Sequence, residues 1–220
     1  MTMTVERPAA IRSDRLFFSG MAVATALTVF AAFAPTYYLR SHDLPALLPT
    51  LQIHGFIFTS WMLLFVAQTT LVATHRTDLH RRLGVLGAVL AAAVVVMGSA
   101  VGVDALRRGL GTAFGMDPRI FFAAPVAEVL CFAILASAGI AFRRHPEMHK
   151  RLMLLATISL VKPAIARFVE DQMTVYLLAD IFVVAAVAYD LWSRGRIHPA
   201  LVFGGLLIVI GKPLIFIVVR

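Results

Sequence analysis

Charged residues are scarce in this sequence, and so is cysteine. Only 15% of the 220 residues are charged and 60% are hydrophobic, which gives a mean hydropathy of +0.86. A soluble domain does not have this balance. The single cysteine, Cys131, excludes an intrachain disulfide and a thiolate metal cage. The sequence also lacks a phosphate-binding P-loop, a dinucleotide-binding glycine turn, a nucleophile elbow and a zinc-protease helix, so no familiar catalytic motif assigns a reaction.

What the sequence does have is a series of apolar runs, each long enough for the roughly 20 residues of helix that cross a bilayer. They predict an all-α, polytopic bundle of seven transmembrane helices that forms one domain over residues 1–220. The first run follows several arginines, as a signal peptide would, but it is longer than a usual signal core and Pro35 would follow the cleavage position. We interpret it as a retained first span. The predicted helices cover residues 16–36, 52–74, 83–103, 120–142, 150–170, 174–192 and 200–219.

The distribution of basic residues predicts the orientation. Most of the arginines and lysines outside the runs lie in connections on the same side as the N-terminus. Because such residues gather in cytoplasmic loops, we expect a cytoplasmic N-terminus and an external C-terminus. Membrane lipids therefore explain the net charge of +8 better than a nucleic-acid partner does. Whether copies of the chain associate into a homo-oligomer is left open.

Ionisable residues within the predicted spans lie in the outer half of the membrane. A charge near the bilayer centre costs roughly 2.5–3.5 kcal/mol on insertion scales, so such groups should face protein or water and find partners. Snorkelling to the headgroups is the alternative for long side chains near a helix end, but it does not suit short carboxylates. These residues therefore predict a polar site for a small polar, acidic or lipid-like ligand. Its candidate members are His54, Glu128, Lys162, Arg167, Asp180 and Lys212.

Two pairings are expected in this region. Lys162 and Asp180 lie at similar depth on neighbouring antiparallel helices, so they should form an ion pair. Arg167 can reach Glu170 or Asp171 at helical spacing. Near the other end of the sixth helix, Asp190 and Arg194 have the same i,i+4 spacing, which predicts a structural pair.

Histidines mark the predicted cytoplasmic edge. The segments 79–83 (LHRRL) and 148–152 (MHKRL) form a weak repeat at the start of helices three and five, and His198 precedes helix seven. Imidazole is a good ligand for haem iron and other metals. His80, His149 and His198 are therefore candidate cofactor-binding residues for one b-type haem, an alternative in which the protein transfers electrons. The propionates would then contact Arg81, Arg82, Lys150 and Arg151.

Two other interpretations of the histidines stay open. Histidines beside arginine and lysine at a membrane edge also contact phospholipid headgroups. A metal-dependent enzyme acting on lipid would instead use His145, His149 and His198 as ligands, although Glu147 is the only carboxylate near them in sequence to serve as a base.

Several short segments in helices two to seven form a recognisable set. They are His54-Gly55 with Trp61 and Gln68, residues 79–84, 149–156 and 164–167, and Asp190-Leu191 with residues 195–200. Taken together, these segments resemble a bacterial family of multi-pass inner-membrane proteins that is described only as a domain of unknown function. The resemblance implies a helical domain in a bacterial inner membrane, without an assigned activity. The histidines at helix ends are also distantly similar to those of cytochrome-b-type membrane proteins, which would imply haem.

Overall fold

The chain folds into a bundle of α-helices. The computed structural model describes residues 8–110 and 118–211, and within these two ranges it contains no β-strand. A helix satisfies its backbone N–H and C=O groups within one segment, which suits long apolar stretches in a membrane. The predicted all-α fold is confirmed.

Most of the helices begin at a proline, whose missing N–H needs no partner in the first helical turn. A short helix, Lys162–Ile165, lies between the fifth and sixth numbered helices. The numbered helices, in chain order, are α1 Pro8–Phe33, continued by a π-helical turn over Ala34–Tyr38, α2 Pro49–Ala73, α3 Thr77–Arg107, α4 Pro118–Ala141, α5 Pro146–Ile158, α6 Gln172–Arg194 and α7 Pro199–Leu206, continued by a π-helical turn over Leu207–Gly211.

Five of the described helices are long and apolar enough to span a membrane, and they indicate a multi-pass membrane protein. They correspond to the first four predicted spans and the sixth. The last predicted span is described only as far as Gly211, and the predicted orientation of the termini stays a prediction. The five spans are Ser13–Tyr38, Pro49–Ala73, Thr77–Arg107, Phe121–Ala141 and Gln172–Arg194.

The predicted fifth span is wrong as one continuous helix. α5 ends at Ile158, and the chain then turns through tighter i→i−3 hydrogen bonds, such as Val161 N to Ile158 O at 3.0 Å, before the short helix begins. Pro163 is the physical reason, because it has no N–H for the Ser159 carbonyl and its ring would clash with that carbonyl in a continuous helix. With 13 residues, α5 rises only about 20 Å, less than the roughly 30 Å of a hydrocarbon core.

α5 lies at the centre of the bundle. It packs against α1, α4, α6 and α7, whereas α1 to α4 contact one another in chain order. Because protein rather than lipid surrounds α5, the broken backbone that follows it can lie at membrane depth without exposing polar groups to hydrocarbon. The side chains of α5 are correspondingly buried, with at most 2% exposure for Leu152, Leu154, Leu155, Ala156 and Ile158.

Gly55 of α2 lies against the ring of Tyr37, in the π-helical end of α1. A Cβ atom on Gly55 would lie 2.3 Å from Tyr37 Cε2. The ring cannot swing away freely, because its hydroxyl donates a hydrogen bond to the Gln52 carbonyl at 2.9 Å. The absence of a side chain at position 55 therefore sets how closely α1 and α2 approach at this end.

We expect Gly55→Ala to lower the free energy of unfolding by about 1–3 kcal/mol, as overpacking typically does. Thermal unfolding of the detergent-purified protein, followed by tryptophan fluorescence, measures the change. Gly20→Ala is the matched control, because a Cβ there meets nothing within 4 Å and alanine is the better helix former. Equal unfolding midpoints for the two variants would contradict the tight contact.

Candidate functional site

Lys162, Glu128 and Tyr176 form a buried polar group that we call the lysine cluster. Lys162 follows the break after α5, Glu128 lies on α4, and Tyr176 lies near the start of α6. Lys162 Nζ is 3.6 Å from Glu128 Oε1, and the two side chains are only 7% and 8% exposed. Nζ also donates a hydrogen bond to the Tyr176 hydroxyl at 2.9 Å. The cluster therefore brings together two buried, opposite charges and the hydroxyl of the half-buried Tyr176, from three segments.

Prolines stand beside both charges of the lysine cluster. Pro163 directly follows Lys162, and Pro125 lies inside α4, one turn before Glu128. An internal proline removes a helical hydrogen bond and favours a bend. Sequence reasoning missed Pro125 and Tyr176, although an internal proline one turn before an intramembrane glutamate can be read from the sequence alone.

The sequence predicts Asp180 as the partner of Lys162, whereas the structure pairs Lys162 with Glu128. Asp180 lies one helical turn after Tyr176 on α6, so the two side chains share a face. A direct pair of Lys162 with Asp180 stays a prediction. The sequence could place Glu128 in the same site but not in this pair, because it does not give the distance between α4 and the broken end of α5.

Arg167 does not form its predicted pair with Glu170 or Asp171. Its Nη1 donates a hydrogen bond to Thr36 Oγ1 at 3.1 Å, and its guanidinium lies 4.0 Å from the centre of the Phe33 ring, both on α1 or its π-helical end. The predicted spacing required a helix, and residues 166–171 are not helical.

Asp171 instead caps α6. Its carboxylate accepts hydrogen bonds from Thr174 N (2.7 Å) and Thr174 Oγ1 (2.6 Å). These two bonds favour the ionised form and lower the pKa of Asp171. The residue therefore begins a helix rather than serving a ligand site.

His54 lies in an aromatic environment on α2, with its ring centre 4.1 Å from that of Phe58. In the described part of the chain, its buried Nδ1 has no hydrogen-bond partner, and neither has the indole nitrogen of Trp61 two turns further along. Lys212 lies outside the described residues. Of the predicted ligand-site residues, the structure thus brings Lys162 and Glu128 into contact and places Arg167 and His54 against other partners.

A second polar centre joins the start of α5 to the end of α6. The Arg151 side chain is 0% exposed, and its Nε donates to both carboxylate oxygens of Asp190, at 3.2 and 3.0 Å. Asp190 is itself 1% exposed. Arg151 Nη1 also donates to Glu147 Oε2 at 2.8 Å, and Glu147 accepts further bonds from Lys150 (2.7 Å) and Arg194. Arg151 is therefore fully paired although it is out of water.

The same centre reaches α1 through Lys150, which forms an ion pair with Asp14. The Tyr189 hydroxyl donates to Asp14 Oδ1 at 3.1 Å, and its ring stacks on Phe17 with 3.9 Å between centres. Three carboxylates thus face three cations. We call this group the ion network, with members Asp14, Glu147, Lys150, Arg151, Asp190 and Arg194.

The sequence predicts only a pair of Asp190 with Arg194 along α6 and misses the larger network. In the structure Asp190 binds Arg151, and Arg194 binds Glu147. The missed signal is a second i,i+4 acid–base pair, Glu147 with Arg151, which lies at the start of α5, beside the end of α6. Two such pairs on neighbouring helices can exchange partners.

His198, directly before α7, also contacts the ion network. Its backbone N–H donates to Asp190 Oδ2 at 3.0 Å, and its ring Nδ1 accepts a hydrogen bond from Ala200 N at 3.1 Å. Burial, and then the positive charge of Arg151, lower the pKa of His198, so the ring is neutral at neutral pH. His198 is therefore an N-cap for α7.

His80 and His149 come together at the end of the bundle that carries the ion network, which we call the basic end. Their ring centres are 6.1 Å apart. His149 Nδ1 donates to the Gly139 carbonyl at 2.8 Å. The Gln68 amide is oriented by its hydrogen-bond partners: with its oxygen accepting from Gly84 N (3.1 Å), its nitrogen donates to His80 Nδ1 (2.7 Å). Both Nδ1 atoms of this histidine pair are therefore held by hydrogen bonds. Each of the two repeated segments, 79–83 and 148–152, supplies one histidine of the pair.

These hydrogen bonds bear on the haem hypothesis. Because His80 Nδ1 accepts an amide N–H, the neutral ring carries its proton on Nε2. A metal binds an unprotonated imidazole nitrogen, so His80 as it is held does not fit iron at Nε2. Arg151 does not fit a propionate either, because it is buried in the ion network. Haem binding stays a prediction that these residues fit poorly.

The three ligands of the metal-enzyme hypothesis are not brought together. His145 is the residue before α5 rather than a member of it, so it does not share a helical face with His149, and His198 caps α7. Among residues 8–110 and 118–211, no three histidine, cysteine, aspartate or glutamate side chains are arranged to hold a metal ion.

Comparison of the chain with protein-family models, curated proteins and solved structures found no match. The resemblance to a bacterial inner-membrane family therefore stays a prediction, and the function has to be argued from the geometry of the two polar centres.

Proposed function

We propose that this multi-pass membrane protein binds and transports a small polar, acidic or lipid-like ligand at the lysine cluster. The observation that carries the proposal is the position of Lys162, a buried cation at the break in the central helix. Ionisable groups inside a membrane bundle are costly and commonly mark ligand or ion pathways. Broken helices at membrane depth are also where many transporters bind their substrates.

The Arg151–Asp190 pair and the Lys162–Glu128 pair are held differently. Arg151 is bound by several hydrogen bonds of 2.8–3.2 Å, whereas Lys162 Nζ lies 3.6 Å from Glu128 Oε1, beyond ordinary hydrogen-bond distance. A carboxylate on a ligand could replace Glu128 at Lys162, with the Tyr176 hydroxyl as a further polar contact. The looser pair is therefore the one suited to exchange partners.

The central segment has one fixed end and one irregular end. The ion network ties the start of α5 to α1 and α6, while its other end leads into the break and Pro163. Bending at the break would move Lys162 relative to α4 without disturbing the ion network. Such a movement would separate Lys162 from Glu128 and give a ligand access to the lysine cluster.

The test is a ligand screen on the detergent-purified full-length chain. Short-chain monocarboxylates, dicarboxylates, amino acids and single-chain acidic lipids are each added during thermal unfolding. One class should raise the midpoint, with a stabilisation of about 2.7 kcal/mol at a hundred times its Kd. Lys162→Gln should abolish the response to that class.

The matched control is Arg108→Gln, which removes a cation from an exposed i,i+4 pair with Asp104 and should leave the ligand response intact. If none of the classes stabilises the protein, or if Lys162→Gln responds as the unmodified chain does, the lysine cluster is not the binding site.

A further inference from the structure

The charges at the basic end are balanced in one place and unbalanced in another. In the ion network, three carboxylates face three cations. The two segments beside the histidine pair, residues 76–84 and 142–146, contain Asp78 as their carboxylate and several arginines. All these arginines are exposed, namely Arg76, Arg81, Arg82, Arg143 and Arg144. A surplus of positive charge therefore surrounds the two imidazole rings.

His80 adds a directed hydrogen-bond donor to this charge. Gln68 and Gly139 hold the Nδ1 atoms of His80 and His149, which fixes both rings in place. The Gln68 bond also leaves the proton of His80 on Nε2, where it is a donor. A donor beside arginines suits an anion, whereas a metal ion needs a lone pair and is repelled by the arginine charge.

We propose that His80 and the flanking Arg81 bind the phosphate of an anionic phospholipid headgroup. Basic sites between membrane helices at one face of the bilayer are suited to such headgroups. The proposal adds a second, structural ligand and does not depend on transport at the lysine cluster.

The surface beside Arg81 favours a lipid over a soluble anion. Val85 and Val89 follow Arg81 on α3 at i+4 and i+8, and with Leu86 they are 71%, 64% and 55% exposed. An acyl chain lying along this apolar face would extend from a phosphate bound by Arg81. A free phosphate ion would use the donors but not the apolar face.

The test compares lipids that share acyl chains and differ in headgroup charge. Purified full-length protein is titrated with phosphatidylglycerol or phosphatidylcholine, and bound lipid is counted by native mass spectrometry. Phosphatidylglycerol should bind about five-fold more tightly, and Arg81→Gln should remove most of that preference, because one basic residue near the surface contributes about this factor. Arg196→Gln is the matched control, since Arg196 is exposed in the turn after α6, whereas His80 and His149 lie on α3 and α5.

His80→Phe provides a second variant, in which the ring remains and the N–H donor is lost, and it should also lose the preference. Equal binding of the two lipids, or equal effects of Arg81→Gln and Arg196→Gln, would overturn the proposal. Displacement of phosphatidylglycerol by millimolar inorganic phosphate would assign the site to a soluble anion and overturn it as well. A b-type absorption band, or stoichiometric metal that His80→Phe removes, would show that the imidazoles bind a metal centre instead.

Discussion

Arg151→Met is expected to lower the free energy of unfolding by about 3–5 kcal/mol and to leave little folded protein in the membrane. The substitution keeps an apolar stem but removes the guanidinium donors to Asp190, which is 1% exposed, and one of the partners of Glu147, so that the His198 N–H faces Asp190 without a cation beside it. A buried carboxylate without a cation is far more costly than the pair was favourable. The yield of folded protein in detergent and its thermal unfolding midpoint measure the effect.

A double substitution separates the lost pairing from lost packing. Asp190→Asn removes the charge that Arg151→Met leaves unpaired, so the double variant should recover part of the stability. Arg196→Gln, which removes an exposed arginine, should change the stability by no more than about 0.5 kcal/mol. A double variant no more stable than Arg151→Met alone would indicate that the guanidinium acts through packing rather than charge.

Lys162→Met is expected to cost about 2–4 kcal/mol, because it removes the cation 3.6 Å from Glu128, which is buried at 8% exposure. The cost should be below that of Arg151→Met, since this contact is longer than the 2.8–3.2 Å bonds from Arg151 to Asp190 and Glu147. Combining it with Glu128→Gln should cost less than the sum of the two single changes, by about 1–2 kcal/mol. Strict additivity in this cycle would contradict a direct interaction between the two side chains.

Helix positions could be predicted from the sequence because each depends on a local property. Apolar runs located the first four spans and the sixth, with ends that differ from those in the structure by at most six residues. The fifth helix is the exception, because whether Pro163 kinks or breaks a helix depends on what surrounds it. In the centre of the bundle its neighbours can accommodate a full break.

The polar centres were harder to predict because they depend on distances between helices. Lys162 and Glu128 were both expected in one site, since intramembrane charges need partners, but the choice between Glu128 and Asp180 required the packing of α4. Arg151 was expected at the membrane edge because it follows Lys150 in a basic run. Its complete burial arises from Asp190 on α6 and Glu147 one turn earlier, a combination that no single segment displays.

The ion network also has a consequence for how the chain enters the membrane. α5 is short, and Glu147, Lys150 and Arg151 lie in its first turns, so on its own it is a poor segment for insertion, where each such charge costs a few kcal/mol. Asp14 has already been synthesised when α5 leaves the ribosome, but Asp190 and Arg194 have not. We therefore expect α5 to wait at the bilayer surface until α6 has emerged, and the two helices then to enter as a hairpin. The C-terminal third of the chain would thus complete the insertion of the helix that precedes it.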